Sequence, residues 1–381
     1  MALSRDVPPR TLATEDLSMS AAINRSSSRD IVVVSASDDR YAMPLAVMIR
    51  SVLDQLPADQ RIHAFILDGG LSDRNRERLE RSWQDPRLVL SWVKPDIEHV
   101  RDLPVSDHIS VVSYLRLLMA DLLPDSVTRA IYLDADMIVR RNLADLWEEP
   151  QGDAAVLAVQ DVAAPYLNAA EVLSTYDRCQ PFLAATTPIA NYRQLGLSGH
   201  CQYFNGGMLV ADLTAWRRDQ IGEQMLACLR THRAHVLWWD QYALNVVLAG
   251  RWRALDHRWN QSAHIYTYPT WSCSPLRREH AKRICHDPWI IHFCSSSKPW
   301  DYFCSHPHTA AFRRSLRQTA WSDWQPKKPN KFVRQWLDFH YQLICKQWKR
   351  RIRALKAAVG YKRYTTASCA VEIESHNPHA L

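Results

Sequence analysis

The sequence predicts an α/β protein with a mostly parallel sheet covered by helices on both faces. Two observations predict it. Short apolar, β-branched runs alternate with helical segments at the pace of βαβ units, and two acidic clusters, Ser37-Asp38-Asp39 and Asp134-Ala135-Asp136, each stand at the carboxyl end of such a run. Parallel sheets bind ligands beyond the carboxyl ends of their strands, so this shared placement assigns both clusters to one site.

In order along the chain, Ile31 to Ala36 is a continuous β-branched run and reads as a buried strand. Residues 41–56 read as a helix with Ala46, Ile49 and Val52 on one side. A second strand, 63–67, closes at Gly69-Gly70, and 72–83 is a polar helix with Ser72 as its N-cap. Residues 88–93 form a third strand, 110–122 a helix, and 130–133 a fourth strand that runs straight into Asp134.

Composition sets the limits. The chain has 381 residues, enough for one large domain with appendages, and its 47% hydrophobic and 23% charged content is that of a globular protein. Fifteen tryptophans are many, but core packing uses tryptophan more often than sugar binding does, so none is assigned singly. Nine cysteines, without a C-x-x-C pair or zinc-type spacing, imply reduced thiols. Residues 1–29 are polar and read as a disordered leader without a signal-peptide core, and no run of 18 apolar residues occurs. A cytoplasmic chain is expected. The net charge of +7 is concentrated: residues 327–363 hold twelve Lys/Arg against one acid, Asp338, leaving the remainder of the chain net acidic. Such a tail alone is a weak argument for nucleic acid, which is not an expected partner.

Asp134 and Asp136 are the sharpest chemical feature. A D-x-D after a buried strand brings two carboxylates to a bend where both reach one hard divalent cation such as Mn²⁺ or Mg²⁺, which accepts diphosphate oxygens as well. Read alone, the tripeptide is more often a turn with a solvated acid pair. Directly after Ile131-Tyr132-Leu133, however, crowding two acids is costly unless a cation neutralises them.

Six blocks in order resemble glycosyltransferase family 8, the group of bacterial lipopolysaccharide galactosyl- and glucosyltransferases and glycogenin. They are Ala36-Ser37-Asp38-Asp39-Arg40-Tyr41; His108-Ile109-Ser110 with Tyr114-Leu115-Arg116-Leu117; Tyr132 to Asp136 continuing to Leu146-Trp147-Glu148; Tyr203-Phe204-Asn205-Gly206-Gly207-Met208-Leu209; Asp240-Gln241 with Leu244-Asn245; and Ile291-His292-Phe293-Cys294 with Lys298-Pro299-Trp300. The resemblance implies a GT-A catalytic domain over 30–305, followed by a helical basic region over 306–364 and a disordered tail over 365–381. It implies Asp134, Asp136 and His292 as ligands of Mn²⁺, with Mg²⁺ as the second choice. It implies Ala36, Asp38 and Tyr41 at the uracil and Lys298 at the diphosphate. Asp161 and Asn205 would contact the donor sugar, with Asp240, Gln241 and Arg116 at the reacting face; Asn205, before two glycines, also reads as a turn residue.

The implied activity is hexose transfer, galactose or glucose, from a UDP-sugar to a saccharide or glycolipid acceptor with retained configuration. The alternative is a non-catalytic UDP-sugar or glycan binder on the same fold. No glycine-rich loop follows the first strand, which weighs against a nucleotidyltransferase. Three departures stand out: Arg40 beside the ribose position, Ser295 where a glycine is common, and Tyr242 where many relatives carry a second acid after Asp-Gln. The polar stretch 162–200 is expected to lie over the donor as a lid. In the tail, Val333, Leu337, Tyr341, Ile344, Trp348, Ile352, Leu355 and Val359 recur at spacings of three and four among lysines and arginines. That pattern suits contact of 327–363 with an anionic membrane from the cytoplasmic side, and equally suits a helix packed on the body with a solvated basic face.

Overall fold

The computed structural model describes residues 30–96, 100–103 and 111–328, together with scattered positions between 330 and 355. The expected leader, the tail beyond 355 and the block His108-Ile109-Ser110 lie outside the described residues.

The main sheet has seven strands in the order β3-β2-β1-β4-β7-β6-β8. They are β1 (Ile31–Ser37), β2 (Ile62–Asp68), β3 (Leu88–Val93), β4 (Arg129–Leu133), β6 (Val156–Gln160), β7 (Phe204–Asp212) and β8 (Trp252–Ala254). All run the same way except β7, which is antiparallel to both β4 and β6. The mostly parallel α/β expectation therefore holds, with one reversed strand at its centre. Buried side chains of the sheet divide between two apolar clusters, one on each face, as a doubly covered sheet requires.

Helix α1 (Ala42–Leu53) lies on one face; its Pro44 falls in the first turn, where a missing N–H costs nothing. Helix α2 (Asp73–Ser82) begins as expected at Ser72, whose hydroxyl accepts from the Asn75 amide. The helix expected over 110–122 is a 3₁₀ run, Val111–Leu118, that becomes α-helical only at Met119–Leu122. A β-branched, serine-containing start favours the tighter turn, and Arg116 Nε donates to the carbonyl of Ser113 three residues back.

A second sheet of three strands, β5 (Met137–Val139), β10 (Ile290–His292) and β9 (Gln261–Ser262), is absent from the sequence reading. Strands of two and three residues carry no period to detect. This small sheet pairs His292 directly opposite Met137, and the Phe293 amide donates to the Asp136 carbonyl at 3.0 Å.

The body continues past the boundary expected at 305. Helix Thr309–Leu316 buries Phe312 completely, and Leu316 and Trp321 join the same cluster as α1 and β1. Arg78 lies 4.2 Å over the Trp321 ring and donates to the Ala320 carbonyl. The described cysteines are all free thiols, and no helix among the described residues is long and apolar enough to cross a membrane.

This packing generates a test. A chain ending at 325 should melt cooperatively near the full-length temperature, whereas one ending at 305 should lose the fold or melt far lower. Phe312→Ala alone should cost roughly 3–5 kcal/mol in denaturant titration, the usual range for emptying a buried phenylalanine.

Candidate active site

The carboxyl ends of β1 and β4, the start of β7 and the end of β10 converge on one cleft of about 890 Å³, within the size range of small-molecule sites. Ala36, Asp38, Tyr41, Arg116, Asp134, Asp136, Asp161, Asn205, Asp240, Gln241, His292 and Lys298 all line it. Residues more than 250 positions apart in sequence thus share one wall.

The centre is Asp134, Asp136 and His292. One ligand atom from each lies within 4.8 Å of the others, and His292 Nε2 stands 3.7 Å from Asp134 Oδ2 and 3.4 Å from Asp136 Oδ1. The Asn260 side-chain oxygen lies 2.9 Å from His292 Nδ1 and accepts a hydrogen bond from it, which fixes the ring with Nε2 facing the acids. An imidazole and two carboxylates match the donor preferences of Mn²⁺, so these residues fit a divalent cation. The backbone is shaped for them too: a Cβ added at Gly207 would sit 2.8 Å from Asp134 Oδ2 and would collide with the His292 ring.

Two cations flank the acids. Lys298 Nζ is 2.6 Å from Asp136 Oδ2 and also donates to the Phe293 carbonyl. Burial would raise the Asp136 pKa, but Lys298 and His292 beside it hold the carboxyl well below the usual range. Arg116, itself buried, reaches Asp134 Oδ1 at 3.0 Å, Asp240 Oδ2 at 2.7 Å and the Gly206 carbonyl at 2.7 Å. Tyr132 adds a hydroxyl to Asp134 Oδ1 at 3.0 Å. Asp240 differs from Asp136: burial pushes its carboxyl up to about 6, against the pull of Arg116.

On the far side of the cleft a chain of amides fixes the polar groups. Asn260 donates to Asn205 Oδ1, Asn205 donates to Asp161 Oδ2, and Gln241 Nε2 donates to the same Asp161 oxygen at 3.1 Å. Gln241 Oε1 accepts from the Gly206 amide, and Asn245 receives the Phe204 amide. Asn205 therefore acts as more than a turn residue.

Asp38 is occupied locally. Its carboxylate accepts from the Arg40 and Tyr41 amides and pairs with the Arg40 guanidinium. Asp39 turns away to receive Ser72 and Asn75 at the start of α2. Tyr41 packs edge-on against Trp300 at 5.8 Å. Tyr242 is fully buried and donates to Asn191, so position 242 faces the helical layer and not the cleft. The stretch 162–200 is packed through Leu167, Ile189 and Tyr192, and contributes Ala163 and Ala184 to the cleft wall.

The sequence reading missed Asn260, Tyr132, Gly207 and Trp239. A lone asparagine carries no signal, whereas the paired glycines after Asn205 were visible as a place of close backbone approach. Trp239, which lines the cleft at the first position of the Asp240 helix, has a left-handed φ of 40°, backbone strain of the kind found at ligand sites.

The family model described as glycosyl transferase family 8 matches residues 32–304. The chain belongs to glycosyltransferase family 8. Among curated members it is 26% identical to General stress protein A of Bacillus subtilis, over 76% of this chain and 94% of that protein. It is 24% identical to the lipopolysaccharide 1,2-glucosyltransferase of Escherichia coli, over 81% and 84%. The crystal structure of the galactosyltransferase LgtC in complex with donor and acceptor sugar analogs superposes with a TM-score of 0.63 at 24% identity, covering 76% of this chain and 96% of that one. The fold of this family 8 glycosyltransferase is thus of the GT-A type, as expected.

Two outcomes follow from the geometry. Gly207→Ala should lose at least about tenfold in affinity for a divalent cation, read with Mn²⁺ as the probe by titration of free ion with electron paramagnetic resonance, while its far-ultraviolet circular dichroism stays that of the wild type. A carboxyl with a raised folded pKa binds its proton more tightly when folded, so Asp240 withdraws stability as pH rises from its ordinary 3.8 through about 6. Asp240→Asn should therefore melt higher than wild type at about pH 7.5, and the gain should shrink towards pH 5.

Proposed function

We propose that this glycosyltransferase moves a hexose, galactose or glucose, from a UDP-sugar to a saccharide or lipid-linked acceptor with retention of configuration. Its place would be lipopolysaccharide or other cell-surface glycan synthesis, at the cytoplasmic side of the membrane. The observation that carries the reading is the cluster of Asp134, Asp136 and His292 at the strand ends, flanked by Lys298 and facing a cleft of about 890 Å³. The named activities of the Escherichia coli glucosyltransferase and of the Salmonella typhimurium lipopolysaccharide 1,3-galactosyltransferase support the substrate class.

In this reading Ala36, Asp38 and Tyr41 border the uracil. Asp38 is held ready by its own turn, and Arg40 stands beside the ribose. Lys298 offers the diphosphate a point charge. Asp134, Asp136 and His292 would hold a divalent cation, whose charge would offset that of the leaving diphosphate. Asp161 and Asn205 hold hydroxyls of the donor sugar. Arg116 and Asp240 fix one side of the reacting face, and Gln241, its amide locked between Asp161 and Gly206, presents a fixed dipole to the other. Position 242 offers no nucleophile, and its side chain lies in the core. This favours a front-face reaction over a covalent intermediate on that residue.

The tail belongs to the same proposal. Val333, Leu337, Tyr341, Ile344, Trp348 and Leu355 are exposed at helical spacing, in a segment carrying twelve Lys/Arg. An apolar stripe bordered by cations matches an anionic bilayer surface.

Wild-type protein with Mn²⁺ and UDP-galactose or UDP-glucose should release UDP slowly without acceptor, and Asp136→Asn should release it at least about a hundredfold more slowly. Equal release by both would leave a binding protein without turnover. In co-sedimentation with phosphatidylglycerol vesicles, full-length protein should pellet and a 1–325 truncation should stay in solution. Equal pelleting would remove the membrane assignment.

A further inference from the structure

The turn that carries Lys298 is gripped from two sides. On the inner side Trp300 packs against Tyr41 and against Phe312, which is itself part of the core. On the outer side Phe303 is stacked by two rings of the tail, Phe332 at 5.8 Å and Phe339 at 5.1 Å, and Tyr302 meets Phe332 edge-on at 5.5 Å. Within the turn, the Lys298 amide donates to Asp301 Oδ2 at 2.7 Å and the Asp301 amide returns a bond to the Lys298 carbonyl. Ser297 Oγ donates to the Phe303 carbonyl. The tail rings therefore hold Phe303, Phe303 closes the turn, and the turn aims Nζ at Asp136.

We propose that Phe332 and Phe339 are positioning residues for Lys298, so that the basic tail completes the diphosphate subsite of the catalytic body. The inference rests on Lys298 as the diphosphate ligand. The division of the helix supports it. Phe332 and Phe339 are half-buried, whereas Val333, Leu337 and Tyr341, interleaved with them, are exposed. One face of the segment serves the active-site turn, and the other carries exposed side chains. Stacked aromatic rings restrict this serine-rich turn in a way that its serine bonds, of which Ser297 to Phe303 spans 3.4 Å, do not, because a ring pair fixes both distance and tilt.

The test uses full-length protein in lipid-free buffer with Mn²⁺. Calorimetric titration with UDP should show Phe339→Ala binding about fivefold more weakly than wild type, and Phe339→Tyr, which keeps the ring, binding as wild type does. In turnover assays the loss should appear in KM for the UDP-sugar with kcat little changed, and the melting temperature of the body should stay within about a degree. Equal UDP affinity in wild type and Phe339→Ala overturns the proposal. So does a fall in kcat that follows a fall in melting temperature, which would give the rings a merely structural part. Wild-type protein that binds no UDP would instead remove the donor assignment on which the proposal stands.

Discussion

The site depends on how closely the backbone of β7 passes the end of β4. The Asp134 amide donates to the Gly207 carbonyl at 2.8 Å, and the Arg116 guanidinium donates to the carbonyl of Gly206. At this point the pairing of β6 with β7 shifts register, from Ala158 opposite Leu209 to Val159 opposite Asn205, so the two glycines bulge from the ladder. At Gly207 the Asp134 carboxylate and the His292 ring occupy the space a Cβ would need. The reversed strand is therefore the means by which a sheet edge becomes a cleft floor: it replaces side-chain bulk with carbonyls and amides that orient the acids around them.

Charge then decides which side chains can share that floor. Four buried or half-buried carboxylates, Asp134, Asp136, Asp161 and Asp240, lie in one cleft. In a medium of low dielectric such a set is tolerable only with cations at contact distance. Arg116 serves two of the four and Lys298 a third, while Asp161 is satisfied by amides from Asn205 and Gln241. The same amide chain runs on through Asn260 to His292, so the imidazole that faces the acids and the glutamine on the opposite wall are oriented by one connected network. The contrast between Asp136, held ionised beside a lysine, and Asp240, pushed up by burial, shows neighbours separating two chemically identical groups by environment.

Much of this was legible in the sequence. Strand 31–36 was readable because a buried parallel strand writes a β-branched run, the half-buried edge strand 88–93 because apolar residues dominate it, and Asp134 and Asp136 because they end an apolar run. The unread part has physical reasons. His292 meets Asp136 through the pairing of two three-residue strands, too short for any period, and only the family resemblance brought it to the site. The 3₁₀ run before Met119 shares its apolar spacing with an α-helix. Helix Thr309–Leu316 looked like part of a basic appendage because Arg313, Arg314 and Arg317 mask the single fully buried ring at 312. Tyr242 was read as the loss of an acid, but sequence alone could not say that the position faces Asn191 and the core.

The ion pairs described above carry a consequence for how this protein is made. Many small metalloproteins cannot fold before their ion arrives, because only the ion reconciles the ligands with one another. Here the chain brings its own counter-charges, Arg116 from the helix before β4 and Lys298 from the turn after β10. Assembly of the core thereby does not wait on a cation, and a chelator should leave the polypeptide folded.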